Sequence, residues 1–237
     1  MLTRSAVMLF MRAVLRVTCR VDAAQLARVP QRGPLILAAN HVNFLEAPLL
    51  YTELTPRPIS VLVKAETWHN PVLGWWFDTI GGAGAIPLRR GEADMDALHQ
   101  ALGALAEGQI LAVAPEGTRS GHGCLQRGLP GMVLLALHSG APIWPVVCIG
   151  GERFWPNLKR LRRTDITIRL GNPFHLDAGG RRVRRELRQQ MADEIMFQMA
   201  ALLPPVYRGV YADLGAATEN FLRFSEGAAS NLRAASN

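Results

Sequence analysis

Short, nearly continuous apolar runs recur along the chain, each bounded by glycine, proline or charge and each followed by a longer stretch with helical spacing. Leu35-Ile36-Leu37-Ala38-Ala39 is the first, and similar runs cover 59–64, 85–88, 110–114 and 143–149. Runs of this length with no polar alternation fit strands buried on both faces. Residues 166–170 alternate apolar with polar, which predicts an edge strand. Helices are predicted over 44–54 with Asn43 as its cap, over 71–80 closed by Gly81-Gly82, over 93–107, and over 128–139 ended by Gly140. Two further helices are predicted over 183–203 and 213–234. The alternation implies an α/β fold: a mixed, largely parallel central sheet flanked by helices, with an N-terminal amphipathic helix and two C-terminal helices. In such sheets functional groups gather in the loops beyond strand ends. His41, Arg89-Arg90 and Glu116–Arg119 fall there.

The N-terminal stretch, residues 2–21, carries Val7-Met8-Leu9-Phe10-Met11 and Val14-Leu15, with Arg12, Arg16 and Arg20 four residues apart on one helical face. This is the pattern of a helix lying in a membrane interface, and equally of a helix docked on its own domain. Residues 1–28 are expected to form a membrane-association helix and 29–237 the main domain. Arginines interrupt the apolar segment, which argues against a signal peptide. No apolar stretch reaches the roughly 18–20 residues of a membrane span. Peripheral or monotopic attachment is therefore the expectation.

Composition adds the partner classes. The 237 residues, 49% of them hydrophobic, suffice for one large core. The 26 basic residues against 19 acidic give a net charge of +7, and all the basic ones except Lys64 and Lys159 are arginine. Such a surface attracts anionic lipid headgroups, phosphorylated substrates or nucleic acid. The lack of a basic-aromatic readout motif counts against nucleic acid. Cys19, Cys124 and Cys148 are odd in number and widely spaced, so neither a disulfide framework nor a zinc site is expected, and the cytoplasmic face of the cell membrane fits best.

Asn40-His41-Val42-Asn43-Phe44-Leu45-Glu46 is the leading candidate for chemistry. Five residues apart on one helix, His41 and Glu46 would point to different faces; with His41 on a turn and Glu46 in the next helix they can meet. A carboxylate there would hold one imidazole nitrogen and present the other as a base. Asn43 and Glu46 also have capping-box spacing, a purely structural role. Glu116-Gly117-Thr118-Arg119, just after a buried strand, suits phosphate binding: Arg119 as a bidentate donor, Gly117 for close backbone approach, and Glu116 as an acceptor or a brace for Arg119. The alternative is a solvated turn. Lys64 and Glu66 read as an exposed local pair. Trp68, Trp75, Trp76 and Phe77 fit either an apolar groove or a core. Phe154 and Trp155, with Arg153, Lys159, Arg160, Arg162 and Arg163, resemble an interfacial patch or a solvated basic loop.

Taken in order, NHVNFLE, VLVKAETWHNP, GGAGAIPLRRG, APEGTRS and GAPIWPVV resemble the successive blocks of the glycerolipid acyltransferases, including the 1-acyl-sn-glycerol-3-phosphate acyltransferases, over about residues 29–150. The resemblance implies His41 as base with Glu46 as its carboxylate. It implies Arg90, Glu116, Gly117, Thr118 and Arg119 as substrate-binding residues, and a fourth-block proline at Pro142 or Pro145. The usual motif is His-x4-Asp, and Glu46 departs from it in the manner of the lipid A late acyltransferases. Arg89 stands where an aspartate is common. The activity implied is transfer of an acyl group from acyl-CoA or acyl carrier protein to the hydroxyl of a lysophospholipid, most simply 1-acylglycerol 3-phosphate, at an anionic membrane surface and without metal or cofactor. A catalytically silent lipid-binding module is the alternative, and other lipid acceptors are the variants within the enzyme reading.

Overall fold

The computed structural model describes residues 4–81, 84–89, 94–225 and 227–235. Its strands are β1 (Cys19–Asp22), β2 (Leu35–Ala39), β3 (Ile59–Lys64), β4 (Ala85–Leu88), β5 (Ile110–Val113), β6 (Ile143–Ile149), β7 (Thr164–Leu170), β8 (Phe174–Leu176) and β9 (Leu222–Phe224). Its helices are α1 (Arg4–Thr18), α2 (Glu46–Leu54), α3 (Pro71–Gly81), α4 (Met95–Ala106), α5 (Gly131–Ser139), α6 (Phe154–Lys159), α7 (Arg185–Ala201) and α8 (Asn231–Ala235). The strands form one sheet in the order β1-β7-β6-β2-β5-β3-β4, with β8 also against β6 and β9 against β8. From β6 to β4 all pairings are parallel, β7 and β8 run antiparallel to β6, and β1 is parallel to β7. The sheet is therefore mixed and largely parallel.

Strand periodicity divides β2 between two cores. Leu35, Leu37 and Ala39 face the layer built by α1 and α2, while Ile36 and Ala38 face α4, α5 and α7. Burial on both faces is why this strand reads as an unbroken apolar run. On α1, Val7, Met8, Met11 and Leu15 are buried in the first layer, whereas Leu9, Phe10, Val14 and Val17 stay exposed. The helix thus docks on its own domain and keeps a second apolar face outward. Arg12 Nη2 ties it to the carbonyl of Thr52 at 2.8 Å. The segment expected as one helix to residue 28 turns at Thr18 into β1, because Cys19–Asp22 pairs with Thr164–Thr167. No helix among the described residues is long and apolar enough to cross a membrane.

Two further expectations change. Residues 166–170 are not an edge: β7 begins at Thr164 and β1 covers its outer side. The helix expected over 213–234 shrinks to α8, preceded by a 3-10 turn at Leu214–Ala216 and by β9. Glu194 on α7, buried, accepts hydrogen bonds from Thr218 Oγ1 and from the amides of Asn220 and Phe221 at 2.7, 3.0 and 3.0 Å. That carboxylate draws the backbone out of helical pairing and sets Leu222 and Phe224 against β8.

Candidate active site

The end of β2 is pinned before the chemistry begins. Asn40 is buried, and its amide completes a two-way bridge to Cys148 on β6, accepting from the Cys148 amide at 2.7 Å and donating to its carbonyl at 2.9 Å. It thereby substitutes for one rung of the sheet. The chain then leaves the sheet, and 42–45 forms a turn into α2. His41 Nδ1 lies 3.1 Å from Glu46 Oε2. The imidazole is 29% exposed and the carboxylate 6%. The Asn43 amide donates to both Glu46 oxygens at 3.2 Å, the Asn43 side chain accepts from the Leu45 amide at 2.7 Å, and its Nδ2 donates to the Gly151 carbonyl at 2.7 Å. The dyad and the helix start are one network. An ionised carboxylate only accepts, so Nδ1–H donates to Glu46 and the ring's lone pair is left on Nε2.

A second loop, after β5, locks onto the first. Ser120 and Gly121 donate their amides to the carbonyls of His41 and Val42 at 2.8 and 2.9 Å. Glu116, buried, accepts from the His41 amide at 2.9 Å and from the Gln126 amide at 2.9 Å. Burial raises its pKa, opposed by those two amides. Gly117 turns at φ +66°, a left-handed conformation that favours glycine, and a Cβ there would press on the Leu129 side chain at 2.5 Å from Cδ1. Thr118 and Arg119, the next two residues, are exposed. An apolar cavity of about 300 Å³ opens beside the loop, lined by His41 and Gly117 with Leu98, Val113, Met132 and Leu135. Lys64 and Asp94 also line it. Among the described residues no cluster of three or more histidine, cysteine, aspartate or glutamate side chains is arranged to hold a metal.

A histidine oriented by a buried carboxylate, beside an apolar cavity and a glycine-containing loop, is the setting in which the comparisons fall. The sequence profile of the acyltransferase family matches residues 20–149. The chain belongs to this acyltransferase family. A chloroplastic 1-acyl-sn-glycerol-3-phosphate acyltransferase of Brassica napus is 25% identical over 162 residues, covering 66% of this chain and 45% of that protein. A lyso-ornithine lipid O-acyltransferase of Pseudomonas aeruginosa is 33% identical over 116 residues, covering 48% and 43%. The chain thus spans a little under half the length of these curated relatives. The crystal structure of the 1-acyl-sn-glycerophosphate acyltransferase PlsC from Thermotoga maritima superposes with a TM-score of 0.54 at 20% identity, over 81% of this chain and 78% of that one, a likeness of fold.

In this acyltransferase-family chain the structure brings His41, Glu46, Glu116 and Gly117 together. Glu116 accepts backbone amides of 41 and 126 with its two oxygens and so braces the His41 loop; among the described residues it forms no ion pair with Arg119. Arg90 lies outside the described residues; the amide of its neighbour Arg89 donates to Asp94 Oδ2 at 2.8 Å. Lys64, expected to form only a local pair, is 3.5 Å from Glu66 and also lines the cavity. The anchoring of this loop by Asn40 to Cys148, and by the capping residue Asn43 to Gly151, is not legible in the sequence beyond their position on either side of His41 and Val42. Pro142 offers its carbonyl to the Ile36 amide at 2.9 Å, and Pro145 lies within β6 in register with Ala38. Trp68 stacks near Phe77 with ring centroids 5.8 Å apart, and Trp75 is half-exposed. Phe154 is buried and Trp155 exposed, each 5.5 Å from Phe44.

Proposed function

We propose that this protein transfers a fatty acyl group from acyl-CoA or acyl carrier protein to the free hydroxyl of a lysophospholipid, with 1-acylglycerol 3-phosphate as acceptor and phosphatidic acid as product. The observation that carries the reading is the 3.1 Å contact between His41 Nδ1 and buried Glu46, set beside an apolar cavity. His41 Nε2 takes the acceptor hydroxyl proton as that oxygen attacks the thioester carbonyl. The tetrahedral intermediate then expels the thiolate as the C–S bond breaks, and the imidazolium returns the proton to sulfur. Glu46 stabilises the imidazolium throughout. The atoms balance without a metal or redox cofactor. Lys64 in the cavity wall and exposed Arg119, two residues past the lining Gly117, would hold the acceptor phosphate, together with Arg90. The acyl chain would lie along Leu98, Met132 and Leu135. Attachment to the cytoplasmic face of the membrane would be peripheral, through the outward apolar face of α1 and the basic surface.

A second acceptor, lyso-ornithine lipid, has the support of the Pseudomonas aeruginosa relative. The test is thiol release from acyl-CoA and from acyl carrier protein with a panel of acceptors. Release that requires 1-acylglycerol 3-phosphate, and that falls about a hundredfold or more in His41→Ala, is expected. Release with lyso-ornithine lipid alone moves the assignment to that acceptor. No release with any pair identifies a silent lipid-binding module.

A further inference from the structure

The turn between α6 and β7 has a composition that folding does not explain. It closes α6 with the Arg160 and Arg162 amides donating to the Asn157 carbonyl at 2.9 Å each and the Leu161 amide to the Leu158 carbonyl at 3.0 Å. This is a Schellman closure, which places its left-handed residue where glycine is favoured. Here that residue is Leu161, at φ +52° and 95% exposed. A branched side chain in the left-handed region is strained, and its exposure to water gains nothing in return. Around it stand Lys159, Arg160 and Arg162, all exposed and none ion-paired with an acid among the described residues.

This turn lies at the reactive end of the sheet. β7 runs antiparallel to β6, so its start is at the end where β6 finishes and where β2 delivers His41. From the His41 loop, Phe44 contacts Trp155 on α6, and both are partly exposed. On the other side, Arg163 Nε donates to the Cys19 carbonyl at 3.2 Å, joining the turn to the end of α1, where exposed Val17 and Arg16 continue the surface. An exposed Leu161 and a half-exposed Trp155, in a segment whose exposed Lys159, Arg160 and Arg162 pair with no acid among the described residues, match a surface with anionic headgroups above hydrocarbon.

We propose that the α6–β7 turn inserts Leu161 and Trp155 into an anionic lipid surface, with Lys159, Arg160 and Arg162 at the headgroups, and so sets the His41 site at the bilayer from which its acceptor comes. This rests on the reading of a lipid acceptor above. The test is co-sedimentation of the full chain with phosphatidylcholine vesicles, with and without phosphatidylglycerol, alongside thiol release using acceptor in vesicles and in detergent micelles. Wild type should bind the anionic vesicles and not the neutral ones. Leu161→Gly should unfold no earlier than wild type and bind anionic vesicles several-fold more weakly. Arg160→Glu with Arg162→Glu should lose about tenfold or more. Both should keep micellar turnover while losing vesicular turnover. Unchanged vesicle binding in both variants overturns the proposal. Vesicle binding that depends on Leu161 in a protein with no thiol release in either format leaves this surface standing and defeats the acyltransferase reading instead.

Discussion

Glu46 meets two demands at once, holding His41 Nδ1 at 3.1 Å and accepting the Asn43 amide at 3.2 Å. The two roles separate in Glu46→Gln, which keeps an acceptor for the amide and loses the charge that stabilises the imidazolium. A fall in kcat of about a hundredfold or more, with the melting temperature little changed, is expected, and activity within about twofold of wild type would remove Glu46 from the chemistry. Glu116 acts one step back. Glu116→Gln can accept from only one of the two amides, so a cost of about 1–3 kcal/mol is expected in thermal unfolding, with a loss of kcat as the His41 loop loosens. Its pKa is raised by burial, so its contribution to stability is full below the ordinary glutamate range and is lost as pH rises through the raised value. A comparison of urea midpoints from mildly acidic to neutral pH should show this slope in wild type and lose it in Glu116→Gln. Of these roles the sequence showed the His41–Glu46 pairing as one of two options. It did not show that Glu116 braces the His41 loop rather than Arg119, because the two amides it serves are 75 and 10 residues away along the chain.

Helix and strand positions follow apolar periodicity closely, and the departures have local causes. α2 starts at Glu46 rather than Phe44, because Asn43 caps an inner turn through the Leu45 amide. The run 213–234 has helical content in its letters but yields to Glu194, which captures two backbone amides, and to the open edge of β8. Element junctions also set where glycine is required. Gly150, between β6 and the turn into α6, has φ +98°, and a Cβ there would lie 2.3 Å from the Asp165 carbonyl oxygen. Gly150→Ala must therefore displace backbone that joins β6 to β7. Destabilisation beyond the roughly 1 kcal/mol of the left-handed conformation is expected, read as a drop of at least about 2–4 °C in melting temperature. An unchanged melting temperature would mean that this junction relaxes freely.

Across the whole molecule, the two cores divide the labour. The layer under α1 and α2 supports the dyad, and the layer of α4, α5 and α7 contains the cavity wall. Filling the second layer should therefore change which donor is used and not whether His41 works. Leu135→Trp, at the cavity wall, should lower kcat/KM for long-chain thioesters more than for short ones, measured by thiol release across chain lengths, while an equal fall for all lengths would place the acyl chain elsewhere. The sequence by itself determined the sheet-and-helix alternation, the strand buried on both faces, and the loops that carry His41 and Glu116, because burial and backbone conformation act on neighbouring residues and leave a periodic trace. Only the tertiary structure decided that Asn40 anchors the loop to β6 and that Glu116 serves His41. It also decided that β1 covers β7 and that Leu161 stands exposed at the reactive end. Each of these joins groups far apart in the chain, and no local pattern records which distant partner will meet a hydrogen bond or be left facing outward.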